Sequence, residues 1–595
     1  MQEHISRRIE QVQSWLSDND LDAFIVAHED EYLGEYVPAH NERLHWLTQF
    51  TGSAGAAVIT RDKAAIFVDG RYTVQVRKQV PEQCFEYCHL IEQPPLSWTI
   101  ESLDVGARIG IDPRMHRGSW YQNALEQVSG QYELVAVEQN PIDLFWNDRP
   151  TAELSTVRLM PVDTVGQLSQ DKRQQLAQSL TKRGAEAAII TELDSICWLL
   201  NVRGLDVSRL PVLLSHAILY ADGSTKFFID PARIEDMSAF AAHVGSAVEV
   251  CHPDTLESAL ESLKGKKVTL DPATSNAWFQ LKLEQNGAKL LELADPCLMP
   301  KAAKNSVEVT GMRNSHIRDG AAMVNFLSWL DREVASGNLY DEAVVSDKLE
   351  SFRRVDPTLV DLSFDTISAS AGNAAMCHYN HENQEIPGAL VEDTLYLVDS
   401  GGQYLDGTTD ITRTIAIGTP SDEMKRQFTL VLKGHIGLAT ALFPSGTCGH
   451  QLDVLARQHL WANGYDYDHG TGHGVGHFLS VHEGPQRIAK AVNNTPLVPG
   501  MVLSNEPGYY RADEFGIRIE NLELVVEKAT NGDSSMFGFE SLTRCPIDKR
   551  NIVAELLTDA ETAWLNDYHQ KVWKDVSPLV DGDALVWLES ACQPL

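Results

Sequence analysis

A chain of 595 residues with 49 Lys and Arg against 83 Asp and Glu carries a formal net charge of −34, which would repel nucleic acid and anionic membrane alike. No run of 18 apolar residues occurs, and Met1-Gln-Glu-His-Ile-Ser-Arg-Arg offers no apolar signal region, so the expected location is the cytoplasm. Nine scattered cysteines without a CxxC pair suit a reducing compartment, and the length is enough for about three domains.

The first elements occur twice. Arg8-Ile-Glu-Gln-Val-Gln-Ser-Trp-Leu, Asp22-Ala-Phe-Ile-Val and Trp46-Leu-Thr-Gln-Phe-Thr-Gly match Arg173-Gln-Gln-Leu-Ala-Gln-Ser-Leu, Glu186-Ala-Ala-Ile-Ile and Trp198-Leu-Leu-Asn-Val-Arg-Gly. Each copy continues into a pair of apolar strands, 56–60 with 64–69 and 216–220 with 226–230. Helix, strand, turn and strand in the same order, twice, predict two similar α/β domains, 1–155 and 160–302, joined near Pro150 and Pro161. Neither copy has clustered metal-ligating residues, which assigns both to support, oligomerisation and control of access. After Pro300-Lys-Ala-Ala-Lys-Asn, Met323, Phe326, Leu327 and Leu330 recur at helical spacing and open a third domain, 305–542. Helices are expected over Asp422 to Leu442 and Leu452 to Asn463, the latter closed by Gly464. Beyond residue 543, Trp564, Trp573 and Trp587 make the tail too aromatic for disorder, so it is expected to pack on the third domain.

The chemistry lies in that third domain. Leu395-Tyr-Leu-Val-Asp399, then Gly401-Gly402, Asp406-Gly407 and Thr408-Thr-Asp410-Ile-Thr-Arg-Thr-Ile, reads as a β-hairpin that sets Asp399 opposite Asp410. Facing carboxylates repel unless a cation lies between them. Met501-Val-Leu-Ser-Asn-Glu506-Pro-Gly and Gly516-Ile-Arg-Ile-Glu520-Asn-Leu repeat the pattern, two strands about a polar turn near Asp513 that let Glu506 face Glu520. Between the hairpins runs His469-Gly-Thr-Gly-His473-Gly-Val-Gly-His477-Phe-Leu-Ser-Val-His482, whose glycines allow close backbone approach. Asp399, Asp410, His473, Glu506 and Glu520 together form a donor set for two hard or borderline divalent cations, manganese first, and so point to a two-metal hydrolase. The glycine spacing fits neither a dinucleotide fingerprint nor a P-loop, His-Glu pairs lack the second zincin histidine, and no G-x-S-x-G elbow occurs.

These motifs closely resemble the catalytic domain of the aminopeptidase P (Xaa-Pro aminopeptidase) family, in its long three-domain form. The resemblance implies an α/β protein: two creatinase-like N-terminal domains, an α+β pita-bread metallopeptidase domain, and a C-terminal extension over 543–595. It implies that Asp399 and Asp410 bind metal with Asp410 bridging, that His473 and Glu506 hold the other cation, that Glu520 bridges, and that the metals are two manganese ions. It further implies that His378 contacts the substrate, that His482 lies beside the scissile bond, and that His469 lines the pocket. Tyr510 and Arg518, and from the first domain Arg71 and Glu35, are implied near the substrate. His477 stands where the family often has a smaller residue, facing the pocket or packing behind the loop.

The expected reaction is release of the N-terminal residue from peptides with proline in second position. A water between the cations would be deprotonated toward Glu506, with His482 and His378 serving the oxyanion and the leaving nitrogen. A tertiary Xaa-Pro amide lacks N–H and so needs a dedicated pocket, but specificity for proline is implied by the resemblance alone. A homodimer is implied in the same way. The alternatives are a prolidase acting on Xaa-Pro dipeptides and a non-enzymatic pita-bread protein, the latter and the metal-free creatinases generally lacking ligands that are intact here. His435, in a helical stretch, reads as a buried structural histidine, and Asp406, Asp513 and Glu514 as turn residues. Arg71, after Asp69-Gly70, serves a structural salt bridge as readily as substrate, and Glu35 reads as surface.

Overall fold

The protein is described from a computed structural model covering residues 2–70 and 72–595. Its chain divides into two compact units. One comprises 1–160, 167–208 and 212–297, and the other 161–166, 209–211 and 298–595. No helix among the described residues is long and apolar enough to cross a membrane.

The first unit contains the repeat as two six-stranded sheets. In the first sheet the order is Glu86–His89, Ala64–Val68, Gly55–Thr60, Ala23–Ala27, Arg108–Ile111 and Glu133–Ala136. In the second it is Val248–Cys251, Thr225–Phe228, His216–Tyr220, Ala187–Ile190, Lys267–Leu270 and Lys289–Glu292. Strand senses agree pair by pair: an antiparallel meander of three strands, with parallel partners on both sides. Identical order and sense in two sheets are the structural counterpart of the sequence repeat. Each sheet is apolar on both faces, as the all-buried Ala23–Ala27 and Ala187–Ile190 strands require.

The second unit begins with a helix over Leu298–Ala302 and the 30-residue helix Ser306–Ala335. Asn305 starts the long helix with a capping box, its side chain accepting from Val307 and Glu308 while Glu308 reaches back to the Asn305 N–H. Ile367–Ser370, Thr394–Ser400 and Ile411–Ile417 form one antiparallel sheet. Gly472–Gly474, Val502–Asn505, Asn521–Lys528 and Met536–Ser541 belong to another. Helices Asp422–Ala439 and Asp453–Trp461 occupy the two expected helical stretches, both somewhat shorter than the apolar pattern.

The end of the chain closes this unit. Helix Asp559–Val576 presents Leu565, Tyr568, Val572 and Val576 along one face, and these join Val324, Phe428, Val431, Ile517 and Ile519 in a single core. Trp564, Trp573 and Trp587 pack on it partly buried. Tyr568 also carries polar work: its hydroxyl accepts from Arg413, a fully buried guanidinium that donates to the Glu520 carbonyl at 2.7 Å and to Asn521 at 2.9 Å. The tail is thereby tied to the backbone of Glu520, one of the candidate ligands, and to Asn521 beside it.

Candidate metal centre

The first carboxylates come from the sheet Ile367–Ser370, Thr394–Ser400 and Ile411–Ile417. Asp399 pairs in register with Thr412, and Ser400 with Ile411, which corrects the expectation that Asp399 stands opposite Asp410. Asp410 lies one residue outside the ladder, on the same face as Thr412 and diagonal to Asp399. The cause is the sharp departure at Gly401, where a Cβ would sit 1.9 Å from the Thr409 oxygen and 2.3 Å from Ser363 Oγ. The residues between, Gly402–Tyr404 and Gly407–Thr408, join a separate small sheet with Leu359–Leu362. Asp406 there pairs with Arg318 instead of standing as a simple turn residue.

The two glutamates sit where a second pair of strands is interrupted. Val502–Asn505 and Asn521–Lys528 end on the pair Asn505↔Asn521, and Gly508–Arg511 with Phe515–Arg518 resume at Gly508↔Arg518. Glu506 and Glu520 occupy the gap, beside Pro507, which has no N–H to continue the ladder. Their own N–H groups turn elsewhere, Glu506 to the Thr471 oxygen at 2.9 Å and Glu520 to the Thr412 oxygen at 3.2 Å. Those two bonds draw Glu506 to the glycine-histidine segment and Glu520 to the Asp410 strand.

His473 enters on the short strand Gly472–Gly474. A Cβ on Gly472 would meet the Ser504 oxygen at 2.0 Å, and one on Gly474 the Gln486 amide at 2.4 Å, so glycine on both sides permits the close approach. The His473 Nδ1 lies 2.9 Å from the Gly474 oxygen and donates to it, leaving the Nε2 lone pair 3.5 Å from Asp410 Oδ2 and 3.6 Å from Glu506 Oε1. Ser504 links the same parts, accepting from the His473 N–H at 2.9 Å and donating to Glu506 Oε1 at 3.2 Å. Donor atoms of Asp410, His473 and Glu520 lie within 4.8 Å of one another.

Three buried carboxylate oxygens in this cluster, Asp399 Oδ1, Asp410 Oδ1 and Glu520 Oε1, have no hydrogen-bond partner. Burial raises the Asp399, Glu506 and Glu520 carboxyls above their ordinary values, most strongly Glu520, where Asp410, Asp399 and Glu506 add to the effect. The His473 imidazole is raised as well: burial and His482 pull it down, and Asp410 and Glu506 outweigh them. Orphaned buried carboxylate oxygens, with Asp410 and Glu520 clustered about His473, suit divalent cations, and an oxygen-rich set with one nitrogen suits hard or borderline ones.

A polar chain leads away from the cluster. Arg518, buried, donates from Nη2 to Asp399 Oδ2 at 2.6 Å, from Nε to Thr412 Oγ1 at 3.1 Å and from Nη1 to the Tyr510 hydroxyl at 2.7 Å. Tyr510 lies 2.8 Å from His469 Nε2, and His469 Nδ1 lies 2.7 Å from the Gly470 oxygen. A hydroxyl accepting from Arg518 donates onward to Nε2, so His469 carries its proton on Nδ1 and is neutral. Burial, then Arg518, lowers its pKa to about 3. His482 is exposed, its ring 4.5 Å from that of His473 and nearly edge-on. His378 is exposed in the turn after the short helix Ala371–Ala375, and its charge is felt at His469.

The other singled-out residues lie elsewhere. His477 is buried with its ring against Gly311 of the long helix, where a Cβ would meet Nε2 at 3.0 Å, so it packs behind the loop. His435 is fully buried, paired reciprocally with Asn505 at 3.0 and 2.9 Å, and lowered to about 3 by burial. Glu35 is exposed, its backbone oxygen 3.3 Å from His28 Nε2, while Arg71 lies outside the described residues. Several contributors carry no sequence signature. Thr412 donates to Glu520 Oε2 at 2.7 Å while accepting from Arg518. Glu483, next to His482, is buried between Lys301 and Lys304 of the first short helix and its exit. The Lys-Ala-Ala-Lys spacing at the domain start was the one visible trace of that clamp.

Residues 310–527 match the model of metallopeptidase family M24, and 535–595 its C-terminal region. Residues 8–144 and 148–308 each match a creatinase/prolidase N-terminal domain. The chain is 40% identical over 605 residues to a probable Xaa-Pro aminopeptidase P of Laccaria bicolor, covering 99% of this chain and 94% of that protein. It is 38% identical over 616 residues to one from Coccidioides posadasii, covering 99% of each. The crystal structure of an X-prolyl aminopeptidase from Caenorhabditis elegans, described as a cytosolic enzyme with a di-nuclear active site, superposes with a TM-score of 0.93 at 33% identity, over 99% of this chain and all of the other.

Proposed function

The chain belongs to the Xaa-Pro aminopeptidase P family of M24 metallopeptidases, and we propose that it removes the N-terminal residue from peptides with proline in second position, using two manganese ions held by Asp399, Asp410, His473, Glu506 and Glu520. The observation that carries the assignment is the clustering of Asp410 and Glu520, each with an orphaned buried carboxylate oxygen, around His473. When bound, the cations supply Lewis acidity toward the scissile carbonyl and bring water into reach of deprotonation near neutral pH.

The residues do the rest. Glu506, whose carboxyl burial holds above its ordinary range, is the base, and Ser504 keeps its Oε1 aimed at the His473 side. His482 and His378 hydrogen-bond the oxygen on which charge develops and pass a proton to the leaving proline nitrogen. Arg518 neutralises Asp399 without occupying both of its oxygens, and through Tyr510 it keeps His469 neutral, so that His469 contacts substrate without repelling the α-ammonium. Tyr510, Arg518 and His469 form one wall of the substrate pocket. The two N-terminal domains serve support, access and a homodimer. The working compartment is the cytoplasm, a reading supported by the related C. elegans enzyme and by nine cysteines that are all free.

The test is release of the N-terminal residue from an Xaa-Pro-Xaa tripeptide by chelator-stripped protein, with and without added manganese, beside an Xaa-Pro dipeptide. Manganese-dependent cleavage of the tripeptide is expected; cleavage of the dipeptide alone would make the chain a prolidase, and none with any divalent metal a binding protein. Asp410→Ala and Glu520→Ala are each expected to lose activity and bound metal while remaining folded, and activity retained in either would sink the ligand assignment.

A further inference from the structure

Glu342 begins the helix Glu342–Arg353, directly after its N-cap Asp341, and is fully buried. Its carboxylate accepts four hydrogen bonds: at Oε1 from the Ser370 N–H at 2.7 Å and Asn373 Nδ2 at 2.9 Å, and at Oε2 from the Tyr379 hydroxyl at 2.6 Å and the Gly388 N–H at 2.9 Å. Its backbone takes part too, the N–H donating to the Gly388 oxygen at 2.8 Å and the carbonyl accepting from Ser368 Oγ at 2.7 Å. All four donors to the carboxylate are neutral, and all come from the segment 370–388, which carries His378 immediately before Tyr379. An ionised carboxylate offers about four acceptor positions, and here four donors fill them.

The far side of this segment is pinned as well. A Cβ on Gly516 would meet the Ala374 oxygen at 1.8 Å, and one on Gly372 the Asp513 oxygen at 2.8 Å. The segment is therefore held between Glu342 and the hairpin Gly508–Arg511 and Phe515–Arg518, which bears Tyr510 and Arg518.

We propose that Glu342 is a positioning residue for the substrate pocket, acting through Tyr379 and the 370–388 segment to fix His378 over the reacting peptide. The proposal rests on the role assigned to His378 above. Glutamine at 342 would turn an NH2 toward two of the donors, one of them a backbone N–H that can only donate, breaking at least that bond without leaving a cavity. Glu342 lies outside the ligand set, so metal content should not change.

The experiment is a double-mutant cycle on the manganese-loaded full chain, with an Xaa-Pro-Xaa tripeptide as probe, comparing Glu342→Gln, His378→Ala and the pair. The expected result for E342Q is a roughly 10- to 100-fold loss of kcat/KM with unchanged metal content, and less than a twofold further loss when E342Q is added to H378A. Tyr379→Phe, which removes one donor and no carboxylate, should show a smaller loss with the same non-additivity, and it carries the cycle if E342Q does not fold. Losses that multiply in the double variants, or unchanged kcat/KM in both E342Q and Y379F, would overturn the proposal. If H378A alone leaves kcat/KM unchanged, the role of His378 falls, and the positioning claim with it.

Discussion

Glu523 shows what burial does to a single carboxyl in this unit. It lies on the strand Asn521–Lys528 with 1% of its surface exposed, and both oxygens accept from Ser541 Oγ at 2.8 and 2.9 Å. Burial pushes its pKa from 4.5 to about 8, against hydrogen bonds from Ser541 and Asn505. Between those two pH values the folded state holds a proton that the unfolded chain has released. Unfolding free energy therefore falls by about 1.4 kcal/mol per pH unit as pH rises across that window, the stabilisation being complete below the unfolded pKa and lost above the folded one. Glu523→Gln is expected to flatten this decline and to be the more stable protein at pH 8 and above, as urea unfolding at a series of pH values would register; an unchanged slope would contradict the assignment. Residues of this kind are hard to read from sequence. Asp399, Asp410, His473, Glu506 and Glu520 stand out because their neighbours are turn formers and their types share one chemistry. Thr412, Ser504, Glu342 and Glu523 are ordinary residues whose role exists only once distant strands meet.

At the scale of elements, the strands and helices that carry the site were legible, and their registers were not. Alternating apolar residues around Gly401-Gly402 and Asp406-Gly407 announced a hairpin, yet the same pattern fits Asp399 facing Asp410 or Thr412 equally well. What decides is Gly401, where the chain leaves the sheet so closely against Thr409 that the intervening residues join another sheet. Gly401→Ala forces a Cβ to within 1.9 Å of a backbone oxygen one residue before Asp410. Overpacking against backbone costs about 1–3 kcal/mol and more where nothing can yield. The expected outcome is a lowered Tm together with weakened manganese binding, measured by titration of the stripped protein. A variant that loses stability but keeps its metal affinity would show that the bend does not place Asp410. In the second pair of strands, Pro507 gave a visible reason for the interruption, although the partners taken up by Glu506 and Glu520 could not be foreseen.

At the scale of the whole molecule, the repeat in the sequence foretold two sheets of the same topology, because matching helices and strands in matching order have few ways to pack. The sequence did not announce that the catalytic unit borrows two short pieces from earlier in the chain, 161–166 and 209–211. Val165 accepts from Asn305 at 2.9 Å where the long helix starts, and Arg209 pairs with Asp361 at 2.7 Å and Asp365 at 2.8 Å. A fragment beginning at Leu298 would leave those groups unmatched, and it is expected to have a lower Tm and poorer solubility than the same fragment supplied with both pieces as linked peptides. Equal behaviour of the two would show that the borrowed pieces are dispensable. The arrangement also bears on how such a gene could change. A single crossover that separates the front two sheets from the catalytic half cuts through one continuous packing unit, so inheritance of the two halves as independent modules would require new residues to stand in for Val165 and Arg209.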